Sequence, residues 1–255
     1  MLYILSPAKK LDFETPATTA KHTSPLFTKE ASELIAIMRE KTPVQVSSLM
    51  SISDKLAALN VARYEAWNTK HTNKNSKQAI LAFNGNVYDG LNAPAFTEHQ
   101  LDWAQQHLRI LSGLYGVLRP LDWMQPYRLE MGTKLSNTKG KDLYAFWQNE
   151  ISALLKKQIT KEPVPVLINL ASEEYFKVVD IQKLNTQIIQ CVFEEYKGGK
   201  YKIISVYAKR ARGLMARYAI ENQVDKPEKL KDFSAEGYVY NKAASTSERF
   251  VFRRG

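Results

Sequence analysis

Leu111–Leu135 reads LSGLYGVLRPLDWMQPYRLEMGTKL, and its punctuation decides how the rest of the chain is read. Gly113, Gly116, Pro120, Pro126 and Gly132 are set among aliphatic and aromatic residues, with Arg119, Arg128, Glu130 and Lys134 between them. Glycine permits backbone that side chains forbid, and proline fixes φ and deletes a donor. So many fixed points amid apolar residues predict a shaped, partly buried segment. A buried arginine there must find a carboxylate, a carbonyl or a ligand, because an unpaired internal charge is very costly. The segment is therefore either a structural elbow, with Arg128 paired to Glu130 or a nearby carbonyl, or part of a binding site.

Just upstream, Thr97-Glu98-His99-Gln100 has the form of a capping box. It opens a helix carrying Leu101, Ala104, Leu108 and Leu111, which ends at Ser112-Gly113. Helix, then Gly113-Leu114-Tyr115-Gly116, then a second apolar segment is similar to a helix-hairpin-helix over residues 97–126. In that motif a glycine hairpin offers backbone N–H groups to DNA phosphate whatever the sequence. Tyr115 adds one residue to the motif's usual Gly-x-Gly. Pro120 also forces Arg119 out of the α region, so a second helix must be short or begin there.

Strand and helix signals alternate on either side. Met1–Leu5 is an apolar run stopped by Ser6-Pro7, a buried strand and a forced turn, with Lys9 and Lys10 just past it where ligand-binding loops often lie. Ala31, Leu34, Ile35 and Met38 mark one helix face, Thr42-Pro43 starts another helix, and Ser53 caps a third. Ala79–Leu91 reads as a buried strand into a glycine turn, and Pro163–Leu170 as a second buried strand. Ser172 can cap the helix that carries Glu173, Glu174 and Lys177. Ile188–Phe193 and Tyr201–Tyr207 read as a hairpin across Lys197-Gly198-Gly199-Lys200, and the tail as a closing strand pair. The expected fold is a mixed α/β single domain spanning residues 1–255, a central sheet flanked by helices.

Charge supplies the functional signal. The chain has 36 Lys plus Arg against 26 Asp plus Glu, a net +10, which favours a polyanionic partner. From Tyr196 to Ile220 there are seven basic residues and no acid. With Ala211, Leu214, Met215 and Tyr218 on one helix face, Lys209, Arg210, Arg212 and Arg217 fall on the other, and Gly213 among them would let a ligand backbone approach. Arginine binds phosphate bidentately, so this reads as a phosphate-binding face, ahead of a merely solvated one. Cys191 is the only cysteine and the four histidines lie apart, so no disulfide, zinc knuckle or other metal site is expected, and no cofactor. No signal region or membrane-spanning run appears, which makes the cytoplasm the default. Neither a P-loop nor a GxGxxG stands anywhere in the chain.

The Leu111–Leu135 stretch resembles the YaaA peroxide-stress protein family. So do LSPAKKL at Leu5–Leu11, FNGNVYDGL at Phe83–Leu91, NLASEEYFKVV at Asn169–Val179, SVYAKRARGLMARY at Ser205–Tyr218 and GYVYN at Gly237–Asn241. The resemblance implies an uncommon fold, a role in protecting bacteria from hydrogen peroxide and lowered free iron, and binding to double-stranded or branched DNA. Together with the charge pattern it yields an expected basic cleft lined by Lys9, Lys10, Gly113–Gly116, Arg119, Arg128, Lys134, Lys177 and the Lys209–Arg217 helix, in a protein expected to be a monomer. The rival class is an enzyme for a phosphorylated or nucleotide substrate in the same cleft, with Glu130, Glu174 or Tyr88 as acid or base and Arg128 orienting the substrate. A deep pocket holding a carboxylate would favour the enzyme, and an open basic groove would favour DNA.

Overall fold

Leu2–Leu5 (β1) is buried on both faces, as an unbroken apolar run requires, and it forms the centre of an eight-stranded sheet. The computed structural model describes all residues 1–255. On one side β1 pairs in parallel with Leu108–Ser112 (β2), which turns back antiparallel into Gly116–Leu118 (β3). On its other side lie, all parallel, Val166–Leu170 (β4), Gln187–Tyr196 (β5) and Arg249–Arg254 (β8). Tyr201–Lys202 (β6) pairs antiparallel with β5, and Val239–Tyr240 (β7) closes the far edge on β8. The mixed α/β sheet flanked by helices is the architecture that the alternating signals predict. Leu2, Ile4 and Leu5 are fully buried, each worth roughly 1.5–3 kcal/mol relative to exposure.

Three helices begin at caps that the sequence marks. Thr42 and Thr97 form complete capping boxes with Gln45 and Gln100, opening Pro43–Met50 (α2) and Glu98–His107 (α5). The Ser53 hydroxyl accepts from Leu56 N at the start of Asp54–Ala66 (α3), and Ala31, Leu34, Ile35 and Met38 are the buried face of Thr28–Arg39 (α1). Leu143–Ile159 (α6) and Ser205–Glu221 (α8) are the long helices beside the sheet, while Glu173–Phe176 (α7) is a single turn after β4.

Three local readings differ from expectation. Ala79–Ala82 is a buried helical turn rather than a strand, followed by Phe83–Asn84 in extended form and Asn86–Leu91 (α4). A short apolar run does not distinguish buried strand from buried helix. Tyr207 lies in α8 and not in the hairpin strand, which ends at Lys202.

The third difference is the helix-hairpin-helix. The helix from Thr97 stops at His107; Leu108–Ser112 is a strand, and Gly113–Tyr115 is the tight turn that returns through Gly116 into β3. No second helix follows, because β3 leads directly into the Arg119-Pro120 turn. Gly116 does take a positive φ of 64°, but Gly113, Leu114, Tyr115 and Gly116 are all buried. A buried turn cannot present its N–H groups to a duplex.

A switch-point charge cluster and an open groove as the candidate functional site

The connections leaving β1 and β4 run to opposite sides of the sheet, so the carboxyl ends of these adjacent strands form a topological switch point, the usual place for a ligand crevice in such sheets. Ser6, at the end of β1, joins the two ends: its hydroxyl accepts from Ser172 N at 2.8 Å and donates to the Ser172 hydroxyl at 3.2 Å. Three residues beyond it, Lys9 enters a cluster of three charges. Glu130 binds Lys9 Nζ at 2.7 Å through one oxygen and Arg128 Nη2 at 2.9 Å through the other. The structural pairing open to Arg128 is therefore the one adopted.

The sequence-predicted residues converge here in part. Lys9, Arg128 and Glu130 are in contact, and exposed Lys10 follows in the Lys10–Leu11 strand pair. Glu174 accepts from Gly132 N at 3.2 Å, and its carbonyl accepts from the Tyr144 hydroxyl. The Lys177 ammonium lies 5.2 Å from the centre of the Tyr144 ring, and Lys134 is exposed two residues beyond Gly132. Tyr88 is buried, and burial raises its hydroxyl well above the ordinary tyrosine range. That hydroxyl donates to Ser6 O, which makes it a support for the turn and not an acid or base near neutral pH.

Gly113 contributes from beneath. A Cβ there would lie 2.2 Å from Leu129 O, so the missing side chain lets the segment carrying Arg128 and Glu130 pack onto the hairpin turn. Ser112 and Tyr127 hydroxyls share a 2.6 Å hydrogen bond in the same layer. The buried hairpin supports the Arg128–Glu130 segment rather than forming a contact surface.

An open groove of about 750 Å³ lies on the Pro126 side of this cluster. One wall is the loop Phe13–Ala20, pinned by the Lys77 ammonium, which donates to Asp12 O and Thr15 O, and by Gln78, which donates to Thr19 O and Lys21 O. The other wall is the end of α3, with Arg63, Ala66 and Trp67, and Gln125-Pro126 leads from it to Arg128. His22 stacks on Trp123 with ring centres 3.5 Å apart at one end. Glu14 is the only carboxylate residue in the lining, against Arg63, Lys74 and Lys77.

Arg63 is the unusual group. It is half-buried, its side chain donates one long hydrogen bond to Asn60, and it makes no ion pair. Burial lowers its hold on its proton; Tyr64 works against that shift, and repulsion from Arg128 adds a smaller push with it. Sequence reading passed over it because α3 carries only a scaffold pattern, and over Lys74 because the 68–77 connection looks merely exposed.

Other predicted contacts lie elsewhere. Arg119 follows β3 at the amino end of β2, donating to buried Asp122 and to Ser24 O. The basic side of α8 is not free of acid either. Arg210 forms a bidentate pair with Glu236, and Arg217 pairs with Glu221 at 2.8 Å. Glu236 comes from a distant segment and leaves no local trace, whereas Glu221, the residue after the acid-free run and four beyond Arg217, was legible as a helix pair. Arg212 is half-buried beside Cys191, and Lys209 is exposed. Gly213 does not face a ligand: a Cβ there would sit 1.8 Å from Val87 O, and Gly90 opposes it from α4, so the pair sets a close α4–α8 crossing. Cys191 is buried, which pushes its thiol up to about 12. The fold gathers no group of three His, Cys, Asp or Glu residues fit to hold a metal, and no helix is long and apolar enough to cross a membrane.

Comparison with known proteins gives a consistent picture over the full length. Proteins named UPF0246 protein from Albidiferax ferrireducens and Polaromonas naphthalenivorans are each 60% identical to this chain, over 254 and 255 residues. The alignments cover 100% of this chain and 98% and 99% of those proteins. A UPF0246 protein from Bordetella pertussis is 54% identical over 254 residues, covering 99% of its length. The profile of the family described as Peroxide stress protein YaaA matches residues 1–244. The chain therefore belongs to the YaaA peroxide stress protein family, and its role lies in the peroxide stress response.

Proposed function

We propose that this chain serves the peroxide stress response by binding nucleic-acid phosphates, without regard to sequence, along the groove that runs from Lys9 and Lys10 past Arg128 and Arg63 to Lys74. The observation that carries the reading is Arg63, a half-buried guanidinium beside Arg128 with no carboxylate to neutralise it. A desolvated cation in that position is best compensated by an incoming anion, and guanidinium geometry favours phosphate. The openness of the groove and the lone carboxylate in its lining favour a polyanion over a small substrate held for acid–base chemistry. The partner is double-stranded or branched DNA bound by a monomer, and occupancy limits iron-dependent oxidative damage along the covered stretch.

Salt titration tests this. Lys10, Arg63 and Lys74 have no ion-pair partner, and three phosphate contacts predict a log K against log salt slope of about −2.7 on duplex DNA. Scrambled duplexes should bind alike. A flat salt dependence, or strong preference for one sequence, contradicts the proposal.

A second reading keeps one observation of its own. The Lys9–Glu130–Arg128 cluster stands at the switch point beside Ser6 and Ser172, a place suited to one phosphorylated small molecule. A nucleotide that raises the melting temperature at low concentration, while duplex DNA does not, would favour that reading.

A further inference from the structure

Away from the groove, one face of the outer sheet is left without a helix. Arg249, Val251 and Arg253 of β8 stand opposite Gln190, Val192 and Glu194 of β5, and Tyr201 of β6 stands opposite Tyr196. Strand alternation puts all of them on one face. Cys191, Phe193 and Glu195 point to the other, which α8 covers. Val192 and Val251, at the middle of this face, are buried among their neighbours yet lie outside the main hydrophobic core.

The carboxyl end of this face is aromatic and basic. Tyr196 is 54% exposed and Tyr201 37%, large values for rings, and their centres lie 5.2 Å apart. The Arg253 guanidinium sits 4.4 Å from the centre of the Tyr201 ring, and the Tyr201 hydroxyl donates to Gly255 O, so that ring is held in place. The Lys197–Lys200 turn extends the ledge, with Gly198 and Gly199 at positive φ and open space around both. Against Arg249, Arg253, Lys197 and Lys200 stand only Glu194, which Arg249 and Arg253 share, and Glu248 at the far end.

We infer that this sheet face is a stacking platform for single-stranded nucleic acid, with bases resting on Tyr196 and Tyr201 and phosphates tracking Lys197, Lys200 and Arg253. Two adjoining exposed rings, one of them fixed in place, interleaved with excess cations, fit a flexible polyanion whose bases are free. A duplex hides those π faces, so it offers the platform only its phosphates. The surface is distinct from the Arg63 groove, and the inference stands apart from the duplex reading given there.

The test is fluorescence anisotropy with labelled oligo-dT, oligo-U and a duplex of equal length, on the full chain and on two double variants. Tyr196→Ala with Tyr201→Ala should weaken single-strand binding about tenfold or more per ring. Tyr196→Phe with Tyr201→Phe should retain most of it, since stacking needs the ring and the Arg253 guanidinium still holds the ring at 201 when the hydroxyl bond to Gly255 O is lost. Duplex affinity should be the same in all three proteins, and comparable loss for dT and U marks stacking rather than sugar recognition. Circular dichroism melts establish that both variants are folded. The inference is overturned if the alanine variant binds single strands as the parent does, or if the phenylalanine variant is equally impaired. It is also overturned if sedimentation shows that the parent self-associates and the alanine variant does not, or if the rings instead support binding to anionic vesicles. Duplex binding that fails while single-strand binding persists removes the groove proposal and leaves this one standing.

Discussion

Gly213→Ala separates a packing role from a ligand role at the centre of the basic helix. Its Cβ would come within 1.8 Å of Val87 O and 2.8 Å of Leu91 N, both rigid backbone on α4. Contact at van der Waals distance needs well over 3 Å, so the two helices must separate by more than an ångström. Across the crossing, Gly90 has the same constraint, since a Cβ there would lie 2.3 Å from Arg210 O. Overpacking of this kind costs about 1–3 kcal/mol or more, and alanine's better helix propensity returns roughly 1 kcal/mol at most. For a chain of this size each kcal/mol moves the melting temperature by about 2–4 °C. Because both opposing atoms are backbone, the cost falls at the top of that range; a net loss of about 2 kcal/mol and a drop of about 4–8 °C are expected, read by calorimetry, with DNA affinity per folded molecule unchanged. Gly199→Ala is the control: nothing lies within 4 Å, so only its positive φ of 77° is strained, at about 1 kcal/mol. A Gly213→Ala protein that melts with the parent but loses DNA would return the glycine to a ligand-facing role and refute the packing account.

Arg210→Gln with Arg217→Gln should leave the duplex salt slope unchanged and stability nearly so, because both pairs are surface-exposed and such pairs contribute little; gel-shift titration checks the first and a thermal melt the second. Glu130→Gln should release Lys9 and Arg128 from their shared carboxylate, tightening duplex binding and steepening its salt slope, whereas loss of binding in anisotropy titration would show that the cluster itself is the recognition element. Cys191→Ser should preserve peroxide protection in a complementation assay, since a buried thiol pushed up to about 12 is a poor peroxide target; loss with the folded protein still abundant would make it a sensor.

The fold was largely legible because its strongest signals are local. The Met1–Leu5 and Pro163–Leu170 runs, the capping boxes at Thr42 and Thr97, and the glycine hairpin after Tyr196 each carry their own physics, and each appears where read. Leu108–Ser112 was misread as helix because its leucines continue the spacing of α5, and parallel pairing with β1 overrides that spacing through contacts about a hundred residues away in sequence. The site was legible in half. Lys9, Arg128 and Glu130 could be named because they flank forced turns. The neutralisation of Arg210 by Glu236 could not, since tertiary ion pairs leave no local trace. Nor could the isolation of Arg63, which is a matter of what is absent around it.

Arg63→Gln tests the central claim most directly. The substitution removes one desolvated, uncompensated charge and the repulsion with Arg128, while leaving the apolar side of α3 intact. Duplex DNA is titrated across a range of salt for parent and variant, beside thermal melts of both. The account predicts weaker binding to every duplex, a salt slope reduced by about one, and a melting temperature unchanged or raised. Unchanged affinity and slope in a folded variant would contradict it.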